Sequence, residues 1–304
     1  MKMKVRNLMA GFFVGLCFII SACDNGGETP DELEQWYAEV AIIDSNLASA
    51  GITPVKDPES GVSMIISKLG TGLPGQKYNT LDVDYVGRRY EDKVVFDQGR
   101  ITTLKLSDYI PGWQIAFSKL PAGTEAKLII PSLYAYGVQG QGASIPPNTI
   151  LEFDVKFNGA KLSSAEVSRL GADTVAIDNY LQSKSITAVK DSTGLRYVIT
   201  TPGTGPVASW FDRLTLKYSI KLLTDDTKTI VSLDRSPSDQ FYSRPVDYIM
   251  GMIIGLQKLS AGSKAVLYIP SGFAFGADGA SDGAGTSIPA NANVIVEVEV
   301  ASID

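Results

Sequence analysis

Two passages of the chain share one pattern of apolar and polar positions. In residues 126–157 a short apolar run, Leu128, Ile129 and Ile130, closes at Pro131. Tyr134-Ala135-Tyr136-Gly137 follows, then a Gly/Gln/Ser segment and Ile145-Pro146-Pro147-Asn148. The passage ends in strict alternation, Leu151, Phe153, Val155 and Phe157 against Glu152, Asp154 and Lys156. That period of two predicts a strand with one face on a core and the other in water. Two strands therefore flank a loop that carries aromatic rings and a proline-stiffened base. Rings at a strand end, beside such a loop, can wall an apolar pocket. Residues 265–300 repeat the pattern, with Phe273-Ala274-Phe275-Gly276 and Ile288-Pro289 in the corresponding places.

The repeat extends upstream. Gly-Ile-Thr-Pro-Val-Lys-Asp at 51–57 matches Ser-Ile-Thr-Ala-Val-Lys-Asp at 185–191. Gly70 answers to Gly203 and Tyr85 to Tyr218, a near-constant offset of 133 residues. Each copy follows a stretch of helical period. Leu33, Trp36, Tyr37, Val40, Ala41 and Leu47 mark the first, from Asp31 to near Gly51. Val167, Leu170, Ile177 and Leu181 mark the second, over roughly 164–183. The chain thus divides at 160–161 into two units of a helix plus a β-rich module, 31–160 and 161–304.

Within the first module, Leu81, Val83 and Tyr85 alternate with Asp82 and Asp84, which puts the Tyr85 ring on the core face. Val94 to Asp97 is a further apolar piece, and Leu104 and Leu106 a third. Asp108 or Ser107 can cap a short helix in which Pro111 is tolerated in the first turn. Ile110, Trp113, Phe117 and Leu120 fall on one side of it, and Pro121-Ala122-Gly123 ends it. One helix amid antiparallel strands predicts an α+β fold, a curved half-barrel of sheet wrapped on a short helix, present twice and each time preceded by an extra helix.

The N-terminus stands apart from this pattern. Lys2, Lys4 and Arg6 precede an apolar stretch at 8–20 that is short for a bilayer span. Ile20-Ser21-Ala22-Cys23 resembles the cleavage and lipidation site of a bacterial lipoprotein, which makes 1–22 a leader, Cys23 the lipidated residue and 23–30 a tether. An ordinary secretory leader with an incidental cysteine is the alternative. Cys17 would leave with the leader and Cys23 would be acylated, so the remaining chain would hold no thiol for a disulfide, a nucleophile or a metal.

Histidine is absent, which excludes histidine acid–base catalysis, Ser-His-Asp triads and histidine metal sites. The net charge is −6, and loss of the leader makes it more negative. An acidic chain without basic clusters is no partner for nucleic acid.

Seven ordered elements resemble the FKBP family of peptidyl-prolyl cis–trans isomerases. They are Tyr85-Val86-Gly87, Val95-Phe96-Asp97, Gly112-Trp113, Leu120-Pro121-Ala122-Gly123, Tyr134-Ala135-Tyr136-Gly137, Ile145-Pro146-Pro147 and Leu151-Glu152-Phe153-Asp154-Val155. The resemblance covers roughly 61–160 and, more weakly, 194–304. It implies that Trp113 is the floor of a substrate pocket and that Tyr85, Phe96, Ile110 and Phe153 are its walls. It further implies that the Tyr136 hydroxyl and the Ile110 N–H meet the substrate carbonyls, that Asp97 accepts a hydrogen bond near the twisting amide, and that Tyr109 and Ile145 sit at the rim. Taken singly, Tyr85, Trp113 and Phe153 read more readily as core rings, and Asp97-Gln98-Gly99 can be only a turn.

Two features depart from the family pattern. Leu104 and Leu106 stand where aromatics are common in a strand, and the short loop at 137–145 has no room for an inserted chaperone domain. The second module departs further. Tyr218 is kept, but Leu233-Asp234 replaces Phe96-Asp97, Met252 replaces Trp113, Phe275 replaces Tyr136 and Val296 replaces Phe153.

The family implies rotation about X-Pro bonds, which needs no cofactor, metal, thiol or proton shuttle. The expected activity is prolyl isomerisation by the first module on proline-containing exported polypeptides, with macrolides as inhibitors, a lipid-anchored envelope location and little turnover in the second module. The alternative is a lipoprotein that binds polypeptide without catalysis.

Overall fold

The computed structural model describes residues 30–234, 244, 248–281 and 287–304. The leader, Cys23 and its tether lie outside the described residues, as do the side chains of Leu233 and Asp234.

The two expected helices form at the expected places. α1 spans Pro30–Ser49, with Asp31 and Glu32 in its first turn, where carboxylates complement the positive end of the helix dipole. The second, opened by Ser163, spans Ser164–Ser183 and is the third helix in chain order (α3). Ser163 Oγ accepts from the Glu166 N–H at 3.3 Å while the Glu166 carboxylate accepts from the Ser163 N–H at 2.7 Å, a closed capping box.

Between them, β1 (Val55–Lys56), β2 (Ser63–Lys68), β3 (Thr80–Arg89), β4 (Val95–Ile101), β5 (Glu125–Ile130) and β6 (Leu151–Lys161) build one antiparallel sheet in the order β1-β2-β5-β6-β3-β4. α2 (Pro111–Lys119) crosses its concave face. After α3, β7 (Val189–Lys190), β8 (Arg196–Thr201), β9 (Thr204–Val207), β10 (Leu214–Leu222) and β11 (Asp225–Asp234) lead to α4 (Met250–Leu256). β12 (Ser260–Ala261), β13 (Lys264–Ile269), β14 (Ala280–Ser281), β15 (Ser287–Ile288) and β16 (Val294–Ile303) complete the chain. The second six-stranded sheet runs β11-β10-β16-β13-β8-β7. This is the first order read backwards, so the two modules share one topology.

Register places the alternating residues as their period requires. Leu151 pairs with Ile130, Phe153 with Leu128 and Val155 with Ala126. On the other side of β6, Phe153 pairs with Gly87 and Phe157 with Val83. Partners in a ladder share a face. These side chains therefore form one layer against Trp113, Ala116 and Phe117 of α2.

The opposite face is not left to water. Ile43 and Leu47 of α1 cover Ile129 there, with Ile65, Tyr90 and Ile150 around them. Each fully buried aliphatic side chain contributes about 1.5–3 kcal/mol. Glu152, expected on a solvated face, is buried there between Lys93 and Lys127, each 2.7 Å from its carboxylate. Burial pushes that carboxyl up, but the two ammonium groups outweigh it and hold it below the usual carboxylate range. In the second module Ile177 and Leu181 of α3 cover Tyr268 and Ile295 in the same way. Gly61 lies under Val40 of α1 and Gly194 under Leu170 of α3, each too close for a side chain of its own.

Three local expectations change. Asp108 does not cap α2; its carboxylate accepts from the Lys105 N–H at 3.0 Å and closes a 3-10 turn, Leu106–Asp108. Ile110 precedes α2 with no side-chain cap, and Pro111 occupies its first position. Leu104 and Leu106 do not form a strand. Leu104 is exposed and Leu106 is buried in the core of the first module; the extended Lys105 between them makes a single bridge to Thr80, and Leu106 opens the 3-10 turn.

The modules touch. Phe211 packs against both cores and Leu73 against the second. Asp278 accepts from Lys77 Nζ at 2.8 Å and from the Tyr78 hydroxyl at 3.0 Å, and Glu166 accepts from Asn79 at 3.1 Å.

Candidate active site

The floor of the first module is Trp113, on the face of α2 turned to the sheet. It can lie there because Gly112, its neighbour, has no Cβ; one would run into Ile130 of β5. Three rings meet the indole edge-on: Tyr85 from β3 at 5.4 Å and 83°, Phe153 from β6 at 5.2 Å and 78°, and Phe117 from α2 at 5.2 Å and 73°. Phe96 of β4 stands edge-on to Phe153 at 5.7 Å and 88°. Such perpendicular pairs add about 0.5–1.5 kcal/mol each beyond the area they bury. Gly87 makes the wall possible, since a Cβ there would lie 2.7 Å from the Phe96 ring and 2.8 Å from the Phe153 ring.

Polar groups line one side of this apolar cup. The Tyr85 hydroxyl donates to Asp97 Oδ2 at 2.6 Å, and the Gln98 N–H donates to Asp97 Oδ1 at 2.9 Å. Tyr85 is held in its phenol form well above the ordinary range, first by burial and then by the Asp97 carboxylate. Burial, then the charge of Asp97, also raises Tyr136. Tyr136 follows the 3-10 turn Ser132–Tyr134, and its carbonyl accepts from the Gly140 N–H at 3.0 Å. Among the described residues the Ile110 N–H has no partner in the protein, as the first amides of a helix do not.

All nine residues singled out in the sequence lie in or beside the core of the first module. Trp113, Ile145 and Phe153 are buried in the core cluster, Tyr85, Phe96, Tyr109, Ile110 and Tyr136 pack against it, and Asp97 is tied in through Tyr85. Two are not where the resemblance placed them. Ile145 is not at the rim but buried, 4% exposed, in a small turn closed by Gln141. Tyr109 lies flat on the Trp113 indole, 5.1 Å between centroids and 29° between planes. Burial pushes its hydroxyl up to about 12.

Gln114 and Phe117, not among the nine, also build the site. Gln114 Nε2 donates to the Tyr109 carbonyl at 2.7 Å and so fixes the chain ahead of the helix. Phe117 backs the indole. The one sequence signal for Phe117 was its place four residues after Trp113.

The second module repeats the scaffold without the cup. Gly251 lies against Ile269 as Gly112 lies against Ile130. Met252, 1% exposed, takes the place of the indole and Val296, fully buried, that of Phe153. Tyr218 meets Tyr248 edge-on at 5.7 Å and 89°. Tyr248, Ile249 and Phe275 line a cavity of ≈ 440 Å³, bounded on its far side by Gln114 and Ile115 of α2. Lys77, Tyr78 and Leu106 line it as well, so it lies between the two modules. Among the described residues no group of acidic, cysteine or histidine side chains could hold a metal ion, and no helix is long and apolar enough to cross a membrane.

The family model for FKBP-type peptidyl-prolyl cis-trans isomerase matches residues 74–158 and 206–301, more than half of the chain, and the chain belongs to that family. Among individual proteins it is 34% identical over 124 residues to the FKBP-type peptidyl-prolyl cis-trans isomerase FkpA of Aeromonas hydrophila, 39% of this chain and 45% of that one. It is 33% identical over 125 residues to the outer membrane protein MIP of Legionella longbeachae, 40% of this chain and 52% of that one. The match thus spans about half the length of these curated relatives. A solved peptidyl-prolyl cis-trans isomerase from Pseudomonas syringae pv. tomato is 31% identical, covers 45% of this chain and 100% of its own, and has a TM-score of 0.38.

Proposed function

We propose that the first module is a peptidyl-prolyl cis–trans isomerase that acts on exported polypeptides, and that Tyr85, Phe96, Asp97, Tyr109, Ile110, Trp113, Tyr136, Ile145 and Phe153 form its site. The observation that carries this reading is the closed ring set around Trp113 with the Tyr85–Asp97 pair at its edge.

The barrier to rotation about a peptide bond is about 18–20 kcal/mol and arises from amide resonance. Uncatalysed X-Pro bonds therefore take roughly 10–100 s to invert. Resonance places negative charge on the carbonyl oxygen, and water stabilises that planar form. A proline ring seated in an apolar cup carries its imide away from water and relatively favours the twisted, less polar state. The Ile110 N–H and the Tyr136 hydroxyl supply fixed donors for the flanking carbonyls, and the Asp97 carboxylate an acceptor. No step transfers a proton to substrate or forms a bond to it.

The second module keeps the scaffold but holds Met252 and Phe275 in place of the indole and the donor hydroxyl. In this reading it contributes little turnover and holds polypeptide. Cys23 is the lipid anchor that keeps both modules at the cell envelope, and macrolides that fill such cups inhibit the first.

The test is catalysis by the full chain of cis-to-trans relaxation of a prolyl tetrapeptide. Acceleration that is lost in Trp113→Leu and blocked by a macrolide is the expected result. A relaxation rate equal to that of buffer sinks the enzyme reading and leaves polypeptide binding without catalysis, which suppression of client aggregation would detect.

A further inference from the structure

The indole that should receive the substrate ring is only 3% exposed, so one of its neighbours has to move before a ligand can lie on it. Three of the four rings around it are tied. Tyr85 is held on β3 by its hydrogen bond to Asp97, Phe153 on β6 by Phe96, and Phe117 is fully buried on the core side. Tyr109 is different. It lies in the connection ahead of α2, and it alone stacks on the indole rather than meeting it edge-on. Its hydroxyl is buried with no hydrogen-bond partner, and so is Trp113 Nε1. A buried donor left unpaired costs free energy that a solvated one does not. The stacked state of Tyr109 therefore gains ring contact but carries that cost, and rotation outward returns the hydroxyl to water.

We infer that Tyr109 occupies the place of the substrate's pyrrolidine ring on the Trp113 indole and competes with it, so that Tyr109 is the specificity-determining residue of the cup rather than a rim contact. This rests on the proposed isomerase reading for the identity of the ligand, but not for the closed state itself. Substrate binding then includes displacement of Tyr109, and the apparent affinity is the intrinsic one reduced by the fraction of open cup. Tight ring binders are admitted and weak ones are not.

Two substitutions at this position separate the ring from the hydroxyl. Tyr109→Phe keeps the stacking and deletes the unpaired group, so the closed state gains. Tyr109→Val removes the ring. The readout independent of catalysis is hydrogen exchange of the Trp113 indole N–H in the full chain, assigned by its loss in Trp113→Phe, with the Trp36 and Trp210 indole signals reporting an intact fold. Exchange is expected to slow by a few-fold or more in Tyr109→Phe and to quicken roughly tenfold in Tyr109→Val. The dissociation constant of a prolyl tetrapeptide, titrated on the same samples, is expected to rise in the first and fall in the second.

Indole exchange that is the same in all three proteins overturns the closed state. Exchange that shifts as expected while the peptide constants move together or not at all overturns the competition. Exchange that shifts as expected in a chain that binds no prolyl peptide leaves the closed cup standing and sinks the isomerase reading instead.

Discussion

Glu39 of α1 accepts two hydrogen bonds from Ser132, one from its N–H at 2.6 Å and one from its hydroxyl at 2.7 Å, with both residues buried. Asp173 of α3 does the same to Ser271, at 2.9 and 2.5 Å. In each module the extra helix thus holds the start of the aromatic loop by a carboxylate, in addition to covering the outer face of the sheet. The loop fastened by Glu39 is the one that carries Tyr136. An N-terminal helix outside the family match is therefore part of the scaffold of the cup.

Glu39→Ala should lower the stability of the first module by about 2–4 kcal/mol, because it leaves the buried Ser132 N–H and hydroxyl without their charged acceptor. Urea unfolding followed by the near-ultraviolet signal of the ring cluster checks this. The same substitution should weaken peptide affinity, since Tyr136 loses its fastening.

Trp113→Leu should reduce kcat/KM of the full chain on a prolyl tetrapeptide roughly ten- to a hundredfold, and the remainder should be small because Met252 offers no second floor. Tyr136→Phe removes one donor and should reduce it about three- to tenfold. Steady-state relaxation rates measure both. Unchanged rates in both variants would place the working pocket elsewhere.

Gly87→Ala should open the wall of the cup. Its Cβ would lie within 2.8 Å of both Phe96 and Phe153, so the rings have to part at a cost of about 1–3 kcal/mol. Thermal unfolding and peptide titration should show a less stable module that binds several-fold more weakly. The adjacent Val86→Ala should change affinity far less, because Val86 faces away from Phe153.

Acid should weaken the attachment of α3. Hydrogen bonds from Arg196, partly opposed by burial and helped by Lys190, hold the Asp178 carboxyl at about 2 against an ordinary 3.8. The unfolded chain takes up that proton near 3.8, whereas the folded chain resists it until about 2. The contribution is therefore whole above about pH 4 and is lost as pH falls toward 2. Thermal unfolding over that range should show a steeper loss of stability in the parent chain than in Asp178→Asn. Equal slopes would mean that the pair adds nothing.

Residue spacing alone made much of this architecture legible. Leu151, Phe153, Val155 and Phe157 recur every second residue, and one face of β6 follows directly from that period. Offsets near 133 residues between Gly70 and Gly203, and Tyr85 and Tyr218, exposed the doubling. The helical stretches around Trp36 and Leu170 declared themselves by a different period. Nine site residues could be named because their ordered types matched a family, and all nine lie in or beside the core of the first module.

Other features had no local signal. Glu152 alternates with apolar neighbours just as Asp154 does, yet it pairs with Ile129, which α1 covers, and lies buried between Lys93 and Lys127. Leu104 and Leu106 look like a strand, but only Lys105 between them bridges to a neighbour, and Leu106 opens a 3-10 turn within the core of the first module.

One face of β6 and the two extra helices thus follow from short-range periodicity, the doubling from a 133-residue offset, and the identity of the cup residues from their ordered match to a family. Tertiary packing alone decided that the outer face of each sheet is a second core, that a cavity lies between Phe275 and α2, and that Tyr109 lies on the indole instead of beside it. Those outcomes depend on which distant surfaces exclude water from one another, and no stretch of residues records that by itself.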